Sequence, residues 1–249
     1  MEAQSIKEYE SLEGQYWWFV GRRKIIESIL QKYFANRALT ILDWGCGPGG
    51  NFKMLEKFGS VIGVDASDEA LDACRRKGIT AVVQGGDVSS FNTEIKFDLV
   101  TSFDVVEHIA DDRKFLLGVH SLLNNDGYML VTVPAFQFLW GPLDDAVGHK
   151  RRYTRDEISE KFFHAGYEVV KASYFISLLS PAFIAYRMFE KVIKKKSSSL
   201  QDSVAKLPYF INWLLIRILF LEALLIPSMS MPFGTSIIVL AKKTHSHEK

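Results

Sequence analysis

Cysteine is scarce in this chain: Cys46 and Cys74 are the only two among 249 residues. One sits in a glycine-rich turn and the other in an expected helix, so no disulfide is expected and a reducing cytoplasm is the simpler setting. Charge of one sign is also lacking. The 30 Lys and Arg are balanced by 29 Asp and Glu, and a net charge of +1 gives no general steering toward nucleic acid. The first residues, Met-Glu-Ala-Gln-Ser-Ile-Lys-Glu, are polar and lack the apolar run of a signal peptide. No internal repeat is visible. A chain of this length with 48% hydrophobic residues suits one α/β domain with an appendage.

What is present is organised around Leu39 to Gly50, Leu-Thr-Ile-Leu-Asp-Trp-Gly-Cys-Gly-Pro-Gly-Gly. A short apolar run ends in Asp43 and then in four glycines within six residues, which reads as a buried strand followed by a tight turn. Gly45, Gly47 and Gly49 allow the backbone to approach a ligand closely. Phe52, Leu55 and Phe58 then fall at helical spacing. By itself G-x-G-x-G is a common turn. Here a second apolar run, Val61 to Val64, ends in Asp65 about twenty residues on, the offset of a ribose-binding acid in doubly wound sheets.

The Asp-x-Gly-x-Gly-x-Gly spacing resembles that of the class I S-adenosylmethionine-dependent methyltransferases. Trp17-Trp18 followed by Arg22 resembles the lead-in of the ubiquinone-pathway O-methyltransferases within that class, and the resemblance runs over roughly residues 16 to 135. It implies S-adenosylmethionine as cofactor, held by Arg22, Asp43, Gly45, Cys46, Gly47, Gly49, Asp65, Ala66, Asp87, Val88 and Phe103. In it Arg22 meets the methionine carboxylate, Asp87 and the Val88 amide meet the adenine, and Phe103 packs on the methionine side. The aromatic run Tyr16 to Phe19 is either core or a cap over the ligand mouth.

Further runs give the remaining strands: Ile79 to Gln84, Phe97 to Phe103, Tyr128 to Val133, Tyr167 to Tyr174 and Thr235 to Ala241. Ser67 reads as a helix N-cap, Thr154 to Glu157 as a capping box, and Asn124 to Gly127 as a turn. Ligands lie outside the carboxyl ends of such strands, so Asp104-Val105-Val106-Glu107-His108 borders the reacting methyl. His108 is a candidate general base, or with Asp104 and Glu107 a divalent-ion site. These side chains also suit a plain strand-end cap. After the fifth strand, Trp140, Asp144, His149, Arg152 and Tyr153 are expected to shape an acceptor pocket, with His149 as second candidate base. The Gly148-His149-Lys150-Arg151-Arg152-Tyr153 run looks like one found in many bacterial and archaeal methyltransferases encoded near glycosyltransferases.

About sixty residues separate the last two strands, which the family pairs as a hairpin. They contain an apolar segment over 175–192, basic Lys191, Lys194, Lys195 and Lys196, serines 197 to 199, and a nearly all-apolar segment over 207–226. Strands on either side must meet in one sheet, and Arg217 and Glu222 make a membrane crossing costly. Asn212, Arg217 and Glu222 point three ways around a helix, leaving no polar face. A cap over the acceptor pocket, a dimer interface and a membrane interface all remain open.

The expected fold is therefore α/β, a Rossmann-like class I methyltransferase sheet, mostly parallel with an antiparallel edge strand. Its parts are a helical cap (1–38), a cofactor domain (39–175), a helical insertion (176–234) and a final strand with polar tail (235–249). The expected activity is methyl transfer, more readily to oxygen, of a small, lipid-like or lipid-linked acceptor, in the cytoplasm or at a membrane surface. A non-catalytic binding module and a nicotinamide-dependent oxidoreductase are the alternatives.

Overall fold

The structure is a computed structural model that describes residues 10–193 and 207–244. Lys194 to Lys196, the serine-rich break and the end of the polar tail lie outside the described residues. Helix α1 (Trp17–Phe34) leads into β1 (Leu39–Trp44), short α2 (Phe52–Leu55), β2 (Gly59–Asp65), α3 (Asp68–Arg76) and β3 (Val82–Gln84). Then come β4 (Phe97–Phe103), α4 (Asp112–Leu122), β5 (Leu123–Pro134), α5 (Pro142–Val147), α6 (Arg155–His164) and β6 (Tyr167–Phe175). The insertion supplies α7 (Ser180–Ile193) and α8 (Tyr209–Leu225) before β7 (Ser236–Lys243).

The seven strands lie in the order β3-β2-β1-β4-β5-β7-β6. All neighbours pair in parallel except β7, which runs antiparallel to both β5 and β6. The reversed strand thus sits one place in from the edge, with β6 outermost. Strands covered on both faces read as continuous apolar runs, and Ile237 to Ala241 are accordingly buried throughout. Strand order reverses between β1 and β4, so their carboxyl ends flank the crevice where ligands bind in such sheets.

Local signals act as expected at two helix starts. Ser67 Oγ accepts from the Ala70 amide, and Thr154 and Glu157 form the reciprocal capping box. Asn124 to Gly127 differ from expectation: they belong to β5. Phe97 pairs with Leu123 and Leu99 already with Tyr128, so the extra residues bulge from the ladder, tied down by Asn124 Nδ2 donating to Asp98 Oδ1 at 2.7 Å. The third strand is also shorter than its apolar run.

The insertion packs mainly on the N-terminal helix. Leu219 of α8 fills the space that a side chain at Gly21 of α1 would take. Asn212 Oδ1 accepts from the Trp17 amide at 2.9 Å and its Nδ2 donates to the Gln15 carbonyl at 2.9 Å, fixing the turn before α1. Glu222 accepts from the Ser177 amide at 2.9 and 3.0 Å. Two of the three polar residues of α8 therefore face inward, because main-chain groups there need partners.

Candidate functional site

The carboxyl ends of β1, β2 and β4 converge on the glycine loop. Gly45, Gly47 and Gly49 have φ of 78°, 55° and 83°, the left-handed region that glycine adopts without a Cβ clash. A Cβ on Gly47 would meet nothing within 4 Å, so this glycine faces open space. Asp65 shapes the loop: its Oδ2 accepts from the Gly47 amide at 2.8 Å and its Oδ1 from the Ser67 amide at 2.9 Å. Ala66, between them, lies opposite Gly86. Cys46 and Cys74 are buried, each Sγ leaning on the Gly47 carbonyl, so Cys46 offers the crevice only its backbone.

Three buried polar atoms around this loop have no protein partner: Asp43 Oδ2, Asn51 Oδ1 and Arg22 Nε. Asp43 Oδ1 accepts from Thr101 Oγ1 at 2.7 Å. Burial nevertheless pushes its carboxyl up to about 6. Arg22 stacks on Trp18 at 4.7 Å, lies 6.0 Å from the Phe103 ring, and pairs with Asp104. A helical turn over 10–13 covers the loop from outside. Glu13 lies against Gly50, and Lys77 bridges Glu10 at 3.3 Å and the Pro48 carbonyl at 2.8 Å. Asp87, farther along the sheet edge, is exposed and already engaged: Ser89 and Lys114 bond it and hold its carboxyl down to about 2. Val88 is buried against Gly118.

The second cluster begins where β4 ends. Asp104 takes a φ of 56°, which a residue with a Cβ adopts at a cost of roughly 1–2 kcal/mol. Phe136 after β5 and Ile176 after β6 also have a φ of 57°, so backbone strain gathers along the carboxyl edge of the sheet. Val105 fills the space beside Gly45 and so joins the two clusters. The turn at Val106–His108 then buries Glu107 completely, with neither carboxylate oxygen hydrogen-bonded. Burial and the nearby Asp104 charge raise its carboxyl well above the usual range.

His149 stands against Glu107 with Nε2 at 3.7 Å from Oε1, while its Nδ1 meets Asp144 Oδ1 at 2.7 Å. Asp144 also accepts from Arg152 Nε at 2.9 Å, Arg152 Nη2 at 3.0 Å and the Gly141 amide at 2.8 Å. Burial alone would raise this carboxyl, but the His149 and Arg152 bonds outweigh it and hold it below the usual value. His108 packs edge-on against His149 with ring centroids 4.7 Å apart. Its Nδ1 lies 3.2 Å from the Gly148 carbonyl. A carbonyl can only accept, so Nδ1 carries the hydrogen and Nε2 keeps its lone pair. Burial and His149 hold the His108 pKa below its ordinary value.

Of the expected catalytic residues, the structure brings Glu107, His108 and His149 together, with one ligand atom each within 4.8 Å of the others, a set able to hold a divalent ion. Asp104 faces Arg22 instead, and His149 takes the place expected for it. The expected pocket lining also divides. Arg152 and Asp144 clamp each other in the interior, and Tyr153 is buried with its hydroxyl on Asp112 at 2.9 Å. Arg151 bonds that same Asp112 at 2.8 Å. The Arg-Arg-Tyr run therefore fastens the loop that carries His149. Trp140 Nε1 donates to Asp145 at 3.0 Å. An aromatic wall does form, from residues not singled out in sequence: Phe136 stacks on Tyr174 at 4.9 Å and touches Phe138 at 5.3 Å.

Comparison with known proteins agrees with this geometry. A family profile described as "Methyltransferase domain" matches residues 19–172. A ubiquinone biosynthesis O-methyltransferase of Bradyrhizobium diazoefficiens is 31% identical over 99 residues, 38% of this chain and 39% of that protein. A probable S-adenosylmethionine-dependent methyltransferase of Mycolicibacterium smegmatis is 25% identical over 63% of this chain and 61% of its own length. The chain thus spans less than two thirds of these curated relatives. Among solved structures, a putative methyltransferase complexed with the Haloferax volcanii Trm112 activator superposes with a TM-score of 0.63 at 15% identity, covering 98% of this chain and 96% of that one. Phosphoethanolamine N-methyltransferase 2 of Haemonchus contortus, solved with S-adenosyl-L-methionine, gives 0.62 at 19% identity over 98% of this chain and 58% of that one. At such identities these two show the fold. The profile covers more than half of the chain, which belongs to the methyltransferase-domain family and has the class I, S-adenosylmethionine-dependent methyltransferase fold.

Proposed function

We propose that the chain is an S-adenosylmethionine-dependent methyltransferase acting on an oxygen of a small, lipid-like or lipid-linked acceptor, with His108 as general base. The observation that supports this reading is the contact of Val105 with Gly45, with His108 three residues farther along the same turn and held below its ordinary pKa. The residues suit the cofactor. The unpartnered Asp43 Oδ2 is an acceptor for its amino group, the Arg22 Nε a donor for its carboxylate, and Gly47 leaves room for close approach. S-adenosylmethionine brings a methyl already activated on sulfonium, so the protein has to align the acceptor and exclude water. His108 Nε2 takes the acceptor hydroxyl proton, and His149 and Glu107 form the wall behind it. The turn over 10–13 and Trp18 cover the mouth. Phe136 and Phe138 give the acceptor an apolar surface.

Calorimetric titration with S-adenosylhomocysteine tests the cofactor, with Asp65→Ala as control. Micromolar binding, lost in the control because the loop loses its Gly47 and Ser67 anchors, is expected. A folded sample that does not bind would overturn the reading, and NADH binding in its place would favour an oxidoreductase. Binding without transfer of labelled methyl to lipid or saccharide extracts would favour a non-catalytic module.

A further inference from the structure

Helix α8 is built inside out. Its inner side carries Asn212 and Glu222, which bond main-chain groups, and Leu219, which packs at Gly21. Its outer side presents Phe210, Trp213, Leu214, Leu221 and Leu224 at the three- and four-residue spacing of one helical face, with exposures from 40% to 73%. The charged residue on that side, Arg217, lies over the Trp213 ring at 5.2 Å. On α7, Tyr186, Met188 and Phe189 are exposed as well. Among the described residues, 14 of the 20 exposed large hydrophobic side chains fall between Leu178 and Phe233. An apolar helix face of this kind on a protein exterior marks an interaction site.

Charge selects the occupant. Residues 176–234 hold seven Lys and Arg against three Asp and Glu, +4 in a chain whose total is +1. Four of the lysines, Lys191 and Lys194 to Lys196, directly follow the exposed Met188 and Phe189 in sequence. Two copies meeting through this insertion would bring together segments of like net charge. An anionic lipid surface complements them while accepting the apolar side chains, and Trp and Tyr favour that boundary. Crossing is not required. Among the described residues no helix is long and apolar enough to span a membrane, and α8, at about 25 Å, falls short of a ~30 Å hydrocarbon core. Pairing of β6 with β7 returns both ends of the insertion to the same sheet.

We propose that the outer face of α8, with the exposed apolar side chains of α7, seats this protein in the interface of an anionic membrane. Helix α7 also reaches the candidate site, since Arg187 packs against Gly141, where the loop carrying Asp144 and His149 begins. The inference goes beyond the methyl-transfer reading and is tested without it.

The test is co-flotation of the full chain with phosphatidylglycerol-containing vesicles and with pure phosphatidylcholine vesicles. One variant combines Trp213→Glu, Leu221→Glu and Leu224→Glu; a second combines Lys194→Glu, Lys195→Glu and Lys196→Glu. All six positions lie on the exposed face or outside the described residues, and S-adenosylhomocysteine affinity and circular dichroism report separately on the fold. Expected are binding to the anionic vesicles, weakening with salt, a blue shift of tryptophan emission that Trp213→Phe removes, and a loss of roughly tenfold or more in each triple variant. Wild-type protein that stays with neither vesicle overturns the proposal. So does a concentration-dependent dimer that the α8 variant dissociates, which would make a second copy the occupant.

Discussion

Asp144 and Glu107 are both fully buried, and each faces one ring nitrogen of His149. Asp144 receives bonds from His149, Arg152 and the Gly141 amide and is held below its ordinary pKa; Glu107 receives none and is pushed well above it. Burial raises both, and at Asp144 the His149 bond with the charge and bonds of Arg152 reverses the direction. The pair thus separates two tasks. Asp144 holds the imidazole and the loop in place, whereas Glu107 is biased toward its neutral form and keeps acceptor capacity at a site where a ligand or ion would use it.

The largest effect should come from breaking the satisfied member. Asp144→Ala leaves the Arg152 guanidinium buried without its carboxylate, and a cost of about 3–5 kcal/mol is expected in thermal unfolding. A loss under about 1 kcal/mol would mean that Arg152 finds solvent and that the clamp is dispensable. Next in size is His108→Gln, expected to lower kcat by roughly 10²- to 10⁴-fold while S-adenosylhomocysteine affinity is unchanged. Because His108 is held below its ordinary pKa, the wild-type acid limb should lie under about pH 6.5 and vanish in the variant. A rate that keeps its acid limb in the variant would move the base elsewhere.

The smallest effect sharpens the comparison. The Glu107 carboxyl is raised in the folded protein, so its contribution to stability is complete below the unfolded value near 4.5 and is lost as pH rises through the folded value. Glu107→Gln has no proton to lose. It should be more stable than wild type at neutral pH by roughly 0.5–2 kcal/mol, with the advantage shrinking toward pH 4.5. A variant less stable at pH 8 would show that the carboxylate is charged and compensated by groups outside this pair.

The glycine loop, the strand runs and the caps at Ser67 and Thr154 were legible because each depends on neighbours a few residues away. The clamp was not. Asp144, His149 and Arg152 stand five and eight residues apart with no period, and nothing local says that the arginine turns inward to close on the aspartate. Helix α8 shows the same limit at longer range. Asn212 and Glu222 seemed to leave the helix without a polar face because their partners are distant in sequence: Trp17 and Gln15 lie 195 and 197 residues before Asn212, and Ser177 45 before Glu222. Likewise Asp104 was grouped with Glu107 and His108 by spacing, while its partner Arg22 comes from 82 residues earlier.

The place of β7 between β5 and β6 bears on how the chain is made. Every other strand is synthesised before it, yet β5 and β6 do not pair with each other and wait for Ser236–Lys243 to bridge them. Until those residues leave the ribosome, β5 is a bare apolar edge open to unwanted pairing, and β6 with α6 has no sheet to join. The strand of this sheet made last is therefore the one that closes the core. A nascent chain stalled or cut before residue 236 should be an aggregating species rather than a smaller folded domain.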